Sequence, residues 1–185
     1  MITALLRRIG AFVRAREAVA AVELALIVPL MLFLYVGSSE LSQLITVDRR
    51  VNTIAGAVGD LVARSNGTIA TATLTDYFKA AEEIIWPYPT GPLKQVVTCV
   101  FVAKDGKVTV RWSEKYGTGA VAYTAGTAYP LPVEMKNVAL GQYVIVSEAT
   151  YAYTPLLGIV FQNAVPLARQ NFYLPRFGEE IKRTS

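Results

Sequence analysis

The stretch REAVAAVELALIVPLMLFLYVG, residues 16–37, decides the fold. From Ala18 to Val36 the chain is apolar at every position except one, Glu23. The hydrocarbon core of a bilayer is about 30 Å thick and takes about 20 apolar residues in a helix. Ala18 to Gly37 supplies that length. Pro29 falls inside the run and marks the expected helix kink, which a membrane helix tolerates when neighbours re-satisfy the freed carbonyl. Four arginines (Arg7, Arg8, Arg14 and Arg16) lie on the N-terminal side. The positive-inside rule therefore puts a basic leader, 1–17, in the cytoplasm and the rest of the chain across the membrane. A cleaved secretory signal is the rival reading, with its apolar region at Leu24 to Tyr35 and a cut near Val36 to Ser38. Against it stand the long basic segment, the length of the apolar run and the interruption at Glu23.

Working outward, 185 residues suffice for one modest domain plus an anchor. Apolar residues make up 53% of the chain and the mean hydropathy is +0.37, with the excess in the first third. The net charge is only +4. Much of it sits in the leader arginines rather than over a folded face, so a nucleic-acid partner is not expected. There is one cysteine, Cys99, and no histidine. A lone cysteine in VVTCVFVA reads as a buried, inert thiol. Without histidine, zinc sites of the usual kind and Ser-His-Asp or Cys-His catalysis are excluded.

After the apolar run, Leu44, Val47, Val51, Ile54, Ala55, Val58, Leu61 and Val62 recur at helical spacing, with Gln43, Asp48, Arg49, Arg50, Asn52 and Asp60 mostly opposite. This predicts an amphipathic helix, 38–64, continuing the transmembrane helix, 18–37, and ending near Asn66-Gly67. A second helix is expected from Thr75, as N-cap, to Trp86, with Leu74, Phe78, Ala81 and Ile85 on one face and Pro87 as the stop. The period then changes to two. Lys94–Ala103 and Lys107–Trp112 read as a hairpin turned at Asp105-Gly106, with Val108, Val110 and Trp112 on one buried face. Gly117 to Pro132 is a long glycine-rich loop or edge. Gln142–Tyr153 and Arg169–Arg176 read as further strands, the last ended by Pro175. The fold class is α+β: a long N-terminal transmembrane and amphipathic helix, then a domain, 65–185, with an antiparallel sheet.

Chemistry-bearing patterns are sparse. GTGAVA (117–122) fits a dinucleotide fingerprint only superficially, since it neither follows a clear parallel strand nor opens a clear helix. Glu82 and Glu83 are adjacent on a helix and point apart. Asn66-Gly67-Thr68 matches a glycosylation acceptor, a tripeptide common by chance. Tyr143, Tyr151 and Tyr153 share one side of a strand and read as core or sheet packing, with an interaction surface as the alternative. No catalytic constellation assembles, so no enzyme activity, cofactor or metal is expected.

Glu23 is the residue with a function to explain. A charge at the bilayer centre costs about 2.5–3.5 kcal/mol on insertion scales. Five residues past Ala18, it lies about 7.5 Å into the helix. If the chain is cut between Ala18 and Val19, the new amine of Val19 lies four residues before Glu23 on the same helix face. The pair can form within one chain or between neighbouring helices, where it would fix register. A basic leader, a small residue, four small or apolar residues, a glutamate and an apolar helix form the pattern of type IV-like prepilins. The string AVAAVELALIVPLMLFL, residues 18–34, resembles the TadE-like minor pilins, or pseudopilins, of the bacterial tight-adherence (Tad, Flp) pilus machinery. Val22-Glu23-Leu24-Ala25-Leu26 and Pro29 carry the match, and YTPLLG (153–158) and YLPR (173–176) fit more loosely. The chain departs from the family at Ala18, where glycine is usual, and at Leu24, where an aromatic is usual.

The resemblance implies prepilin-type processing at Ala18 and Val19 and a helix-pairing role for Glu23. It also implies an inner-membrane anchor with a periplasmic, pilin-like domain. The implied partners are major and minor pilin subunits, the inner-membrane assembly platform and a prepilin peptidase. The implied role is pilus assembly or initiation. The alternative is a single-span, membrane-anchored periplasmic binding or scaffolding module unconnected with pili.

Overall fold

The computed structural model describes residues 16–155, 158–159 and 162–185. The expected leader up to residue 15, and Leu156 and Leu157 of the YTPLLG motif, lie outside the described residues. Helix α1, Arg16–Ala63, is one unbroken element of 48 residues. At 1.5 Å per residue it is about 72 Å long. The transmembrane and amphipathic segments read from the sequence are thus the two halves of one rod. In the first half, side chains from Val19 to Tyr35 are exposed. In the second, Val47, Val51, Ile54, Ala55, Val58 and Val62 are buried against the domain, at the spacing the sequence gives them. Arg64 and Ser65 close the last turn through bonds to Asp60 O and Val62 O, and Gly67 at φ 71° turns the chain.

Strand β1, Thr68–Ala70, leads into helix α2, Thr71–Glu82, and a 3-10 turn, Glu83–Ile85. Helix α2 begins four residues before the expected start. Thr75 is no cap: its hydroxyl donates to Thr71 O inside the helix, at 3.0 Å. The start is set by tertiary pairing instead. Strand β1 pairs in parallel with a short β6, Lys182–Thr184, and Thr71 Oγ1 donates to Thr184 O. The buried face is as expected: Leu74, Phe78, Ala81 and Ile85 all enter the core.

The main sheet has β2 (Leu93–Val102), β3 (Val108–Tyr116), β4 (Tyr143–Tyr153) and β5 (Val165–Tyr173) in the order β3-β2-β4-β5, all antiparallel. Residues 103–107 connect β2 to β3, closed by Ala103 N–H donating to Lys107 O and Gly106 N–H donating to Ala103 O, with Gly106 at φ 82°. Strand β5 begins four residues before the expected Arg169 and is not the last, since β6 follows it. Nothing in the sequence of β6 alternates. It exists because β1 and the neighbouring buried Ile181 hold it.

One expectation fails on β3. Val108, Val110 and Trp112 do not share a face. Cys99 pairs with Trp112 and Val100 with Val110, so Arg111 is the extra residue of a β-bulge. The bulge sends Trp112 to the helix side of the sheet and leaves Val108 and Val110 on the other. Arg111 makes an ion pair with Glu180, Nε to Oε1, at 2.8 Å.

Both faces of the sheet are covered. The second half of α1 and α2 pack on one face with Val97, Cys99, Trp112, Ile145, Ala149 and Tyr151. The segment 117–132 and a short helix α3, Val133–Val138, cover the other, where Tyr129, Leu131 and Ala139 meet Val100, Val110, Val144 and Val146. Each fully buried aliphatic side chain is worth about 1.5–3 kcal/mol. Helix α1 runs alongside β5 in matched register. Asp48 pairs with Arg169 at 2.5 Å, Asn52 Oδ1 accepts from Asn171 at 3.2 Å, and Gly56 faces Tyr173. Four helix residues rise about 6.0 Å and two strand residues about 6.6 Å, so the rungs stay level.

Candidate functional site

All four residues singled out by the sequence, Ala18, Val19, Glu23 and Pro29, lie on the bare half of α1. The helix continues through Pro29. Its missing N–H leaves the carbonyl of Ala25 without its usual i+4 partner. Val19 is 50% exposed and Glu23 is also exposed. They stand one helical turn apart, the spacing at which helix side chains are neighbours. The 18-residue window of highest hydropathy averages 2.4, and none of it is buried by the rest of the chain. Helix α1 is therefore long and apolar enough to cross a membrane, and it presents one carboxylate within that apolar surface.

The sequence reading passes over Glu40. It is 1% exposed, and its Oε1 accepts the N–H of Ile159 at 3.0 Å. A signal for it is present: Glu40 is in phase with Leu44, Val47 and Val51, the buried stripe of α1. A carboxylate in that phase must find donors when the helix packs, and the backbone of the β4–β5 connection supplies one.

The other chemistry-bearing residues are tied up in structure. Cys99 is fully buried, and burial above all pushes its thiol up to about 12. Glu82 accepts from Tyr116 Oη at 3.0 Å. Tyr151 and Tyr153 are buried on the helix side of the sheet, and Tyr143, at the other end of β4, packs partly buried against the same core with its ring centroid 4.9 Å from that of Phe101. GTGAVA opens no helix, and Gly117, at φ 95°, crosses over the backbone of Leu93. On the opposite face Glu148 accepts from Tyr123 Oη at 3.3 Å and Gln170 Nε2 at 3.1 Å. Burial raises its pKa above the usual carboxylate value, and the tyrosine hydroxyls pull it back in part. Among the described residues, no group of three or more His, Cys, Asp or Glu side chains is placed to hold a metal ion.

Comparison with family models, with curated proteins and with solved structures finds no match to this chain. A smooth apolar rod with one carboxylate near its start suits lateral packing in lipid, where a buried charge is tolerated only against a partner.

Proposed function

We propose that this chain is a minor-pilin-like protein of the TadE-like kind, anchored in a bacterial inner membrane by the first half of α1. The observation that carries the reading is the contrast along one helix. Val19 to Tyr35 are bare and apolar around Glu23, while Val47 to Val62 are packed into an α+β domain. The resemblance of residues 18–34 to prepilins supports it. So does the i to i+4 spacing of Val19 and Glu23, which lets a freed Val19 amine meet a carboxylate of its own or a neighbouring helix. The arginines before the run favour a cytoplasmic N-terminus and a periplasmic domain. On this reading the chain is processed by a prepilin peptidase between Ala18 and Val19 and takes part in pilus assembly or initiation with other pilin subunits and the assembly platform. It is a substrate of an enzyme rather than an enzyme.

The test is N-terminal sequencing and intact mass of the membrane-extracted protein, with piliation of a Glu23→Ala strain. Loss of residues 1–18, with insertion retained and piliation lost in Glu23→Ala, is the expected result. An uncut chain whose Glu23→Ala variant behaves as the parent overturns the pilin reading and leaves the anchored scaffolding module.

A further inference from the structure

We infer that Ile159, in the β4–β5 connection, is a second membrane contact of this chain, held by Glu40 in the lipid headgroup layer where α1 leaves the bilayer. The inference rests on the reading of α1 as a membrane span.

The exposure of α1 gives the level. Its side chains are exposed from Val19 to Tyr35, half-buried at Val36 and Gly37, and buried at Glu40. The domain thus reaches back along the helix to the end of the apolar run. Glu40 is three residues beyond Gly37, about 4.5 Å along the axis. Helix side chains tilt toward the N-terminus, which here is toward the bilayer. The headgroup region on each side of the hydrocarbon is about 5–7 Å deep, so the carboxylate falls within it. Ile159 donates its N–H to that carboxylate at 3.0 Å. Its own position along the membrane normal is therefore fixed to the same layer.

The sequence on either side of Ile159 is apolar. Residues 155–161 read PLLGIVF, without one charged or hydrogen-bonding side chain. Loops that face water draw on Gly, Pro, Asn, Asp and Ser. Ile159 is 48% exposed although it sits beside a buried stripe of α1. Tyr153, the last residue of β4 and six residues before Ile159, is buried and meets Tyr88 edge-on. The occupant that covers Ile159 is lipid, because the apolar surface of α1 that lipid would cover ends at the same level. Two contacts, the span and Ile159, would fix the rotation of the domain against the membrane, which a single span leaves free.

The full chain, reconstituted in phosphatidylethanolamine–phosphatidylglycerol vesicles, tests this with an environment-sensitive fluorophore on Ile159→Cys. Buried Cys99 leaves the background silent. Leu30→Cys, in the span, and Lys104→Cys, exposed next to the β2–β3 turn at the far end of the sheet, are the references. The Ile159→Cys label should be quenched more strongly by headgroup nitroxides than by acyl-terminal nitroxides, Leu30→Cys the reverse, and Lys104→Cys by neither. Adding Glu40→Ala should weaken headgroup quenching at 159 and leave Leu30→Cys unchanged. Quenching at 159 by aqueous iodide alone, or shielding from both iodide and lipid, overturns the inference while the span stands. Failure of Leu30→Cys to reach acyl-chain quenchers overturns the span, and the inference with it.

Discussion

The ring of Tyr173 fills the space over Gly59 that any other residue's Cβ would occupy: a carbon placed there stands 2.6 Å from Cε2 and 2.7 Å from Cδ2, and 3.0 Å from Cβ of Ser147. This close approach lets α1 lie down on β4 and β5. A Cβ on Gly56, one turn earlier, meets the Tyr173 hydroxyl at 3.4 Å and Asn171 Nδ2 at 3.9 Å, both ordinary contacts.

The two glycines should therefore respond to alanine with opposite sign. Gly56→Ala gains helix propensity, about 0.5–1 kcal/mol, and should raise Tm. Gly59→Ala gains the same propensity but overpacks against a ring and a central strand, at about 1–3 kcal/mol, and should lower Tm. Thermal unfolding of the full chain in detergent, followed by near-UV circular dichroism, checks both.

Trp112 Nε1 donates to Ile181 O at 2.6 Å in the core. Trp112→Phe keeps most of the ring but leaves a buried carbonyl unpaired, at about 1–3 kcal/mol. The C-terminal residues 179–185 should become the first site of limited proteolysis, read by mass spectrometry. Cleavage at wild-type rate would show that β6 is held without the Trp112 bond.

Cys99 should be inert in the folded chain. It is fully buried, and burial pushes its thiol up to about 12, so thiolate is scarce at neutral pH. An excess of iodoacetamide at pH 8 should leave the intact mass unchanged until denaturant is added, after which one adduct appears.

Glu148 is an acid whose native pKa is raised, chiefly by burial. The folded state then binds its proton more readily than the unfolded chain does. Its ionisation opposes folding above the raised value, and the opposition fades as pH falls toward the ordinary carboxylate value. Glu148→Gln should raise Tm at pH 7, with a gain that shrinks toward pH 4. A gain independent of pH would mean the effect is packing rather than charge.

Asp60 shows the opposite sign. Arg64 first and then Arg176 hold its carboxyl below the usual value. Its contribution is present above the ordinary carboxylate pKa and is lost as pH falls through the lowered native value. Asp60→Asn should lower Tm at pH 7, by a difference that shrinks as pH falls below the ordinary carboxylate value, and raised salt should reduce it because the site is exposed.

Much of this architecture is legible in the chain because it follows from local periodicity. The length of the apolar run, the phase of Val47 to Val62, the face of Leu74, Phe78, Ala81 and Ile85, and the Asp105-Gly106 turn each depend on neighbours within a few residues. Glu23 and Val19 are legible as a pair for the same reason, since four residues make one helical turn. Glu40 was legible only by phase: its neighbours Ser38 and Ser39 look like surface, yet it stands on the stripe that packs.

The sequence by itself determined the rod, its apolar half and the antiparallel α+β character of the remainder, because helix and strand periods are written in consecutive side chains. The tertiary structure alone decided the rest. It placed the start of α2 at Thr71 through a strand 113 residues away, since Thr71 Oγ1 binds Thr184 O. It turned Trp112 to the opposite face from Val110 through one unpaired Arg111, because alternation carries no mark of a bulge. It gave the carboxyl of Glu40 the amide of Ile159, 119 residues on, because a buried polar group takes its donor from whatever the fold brings beside it.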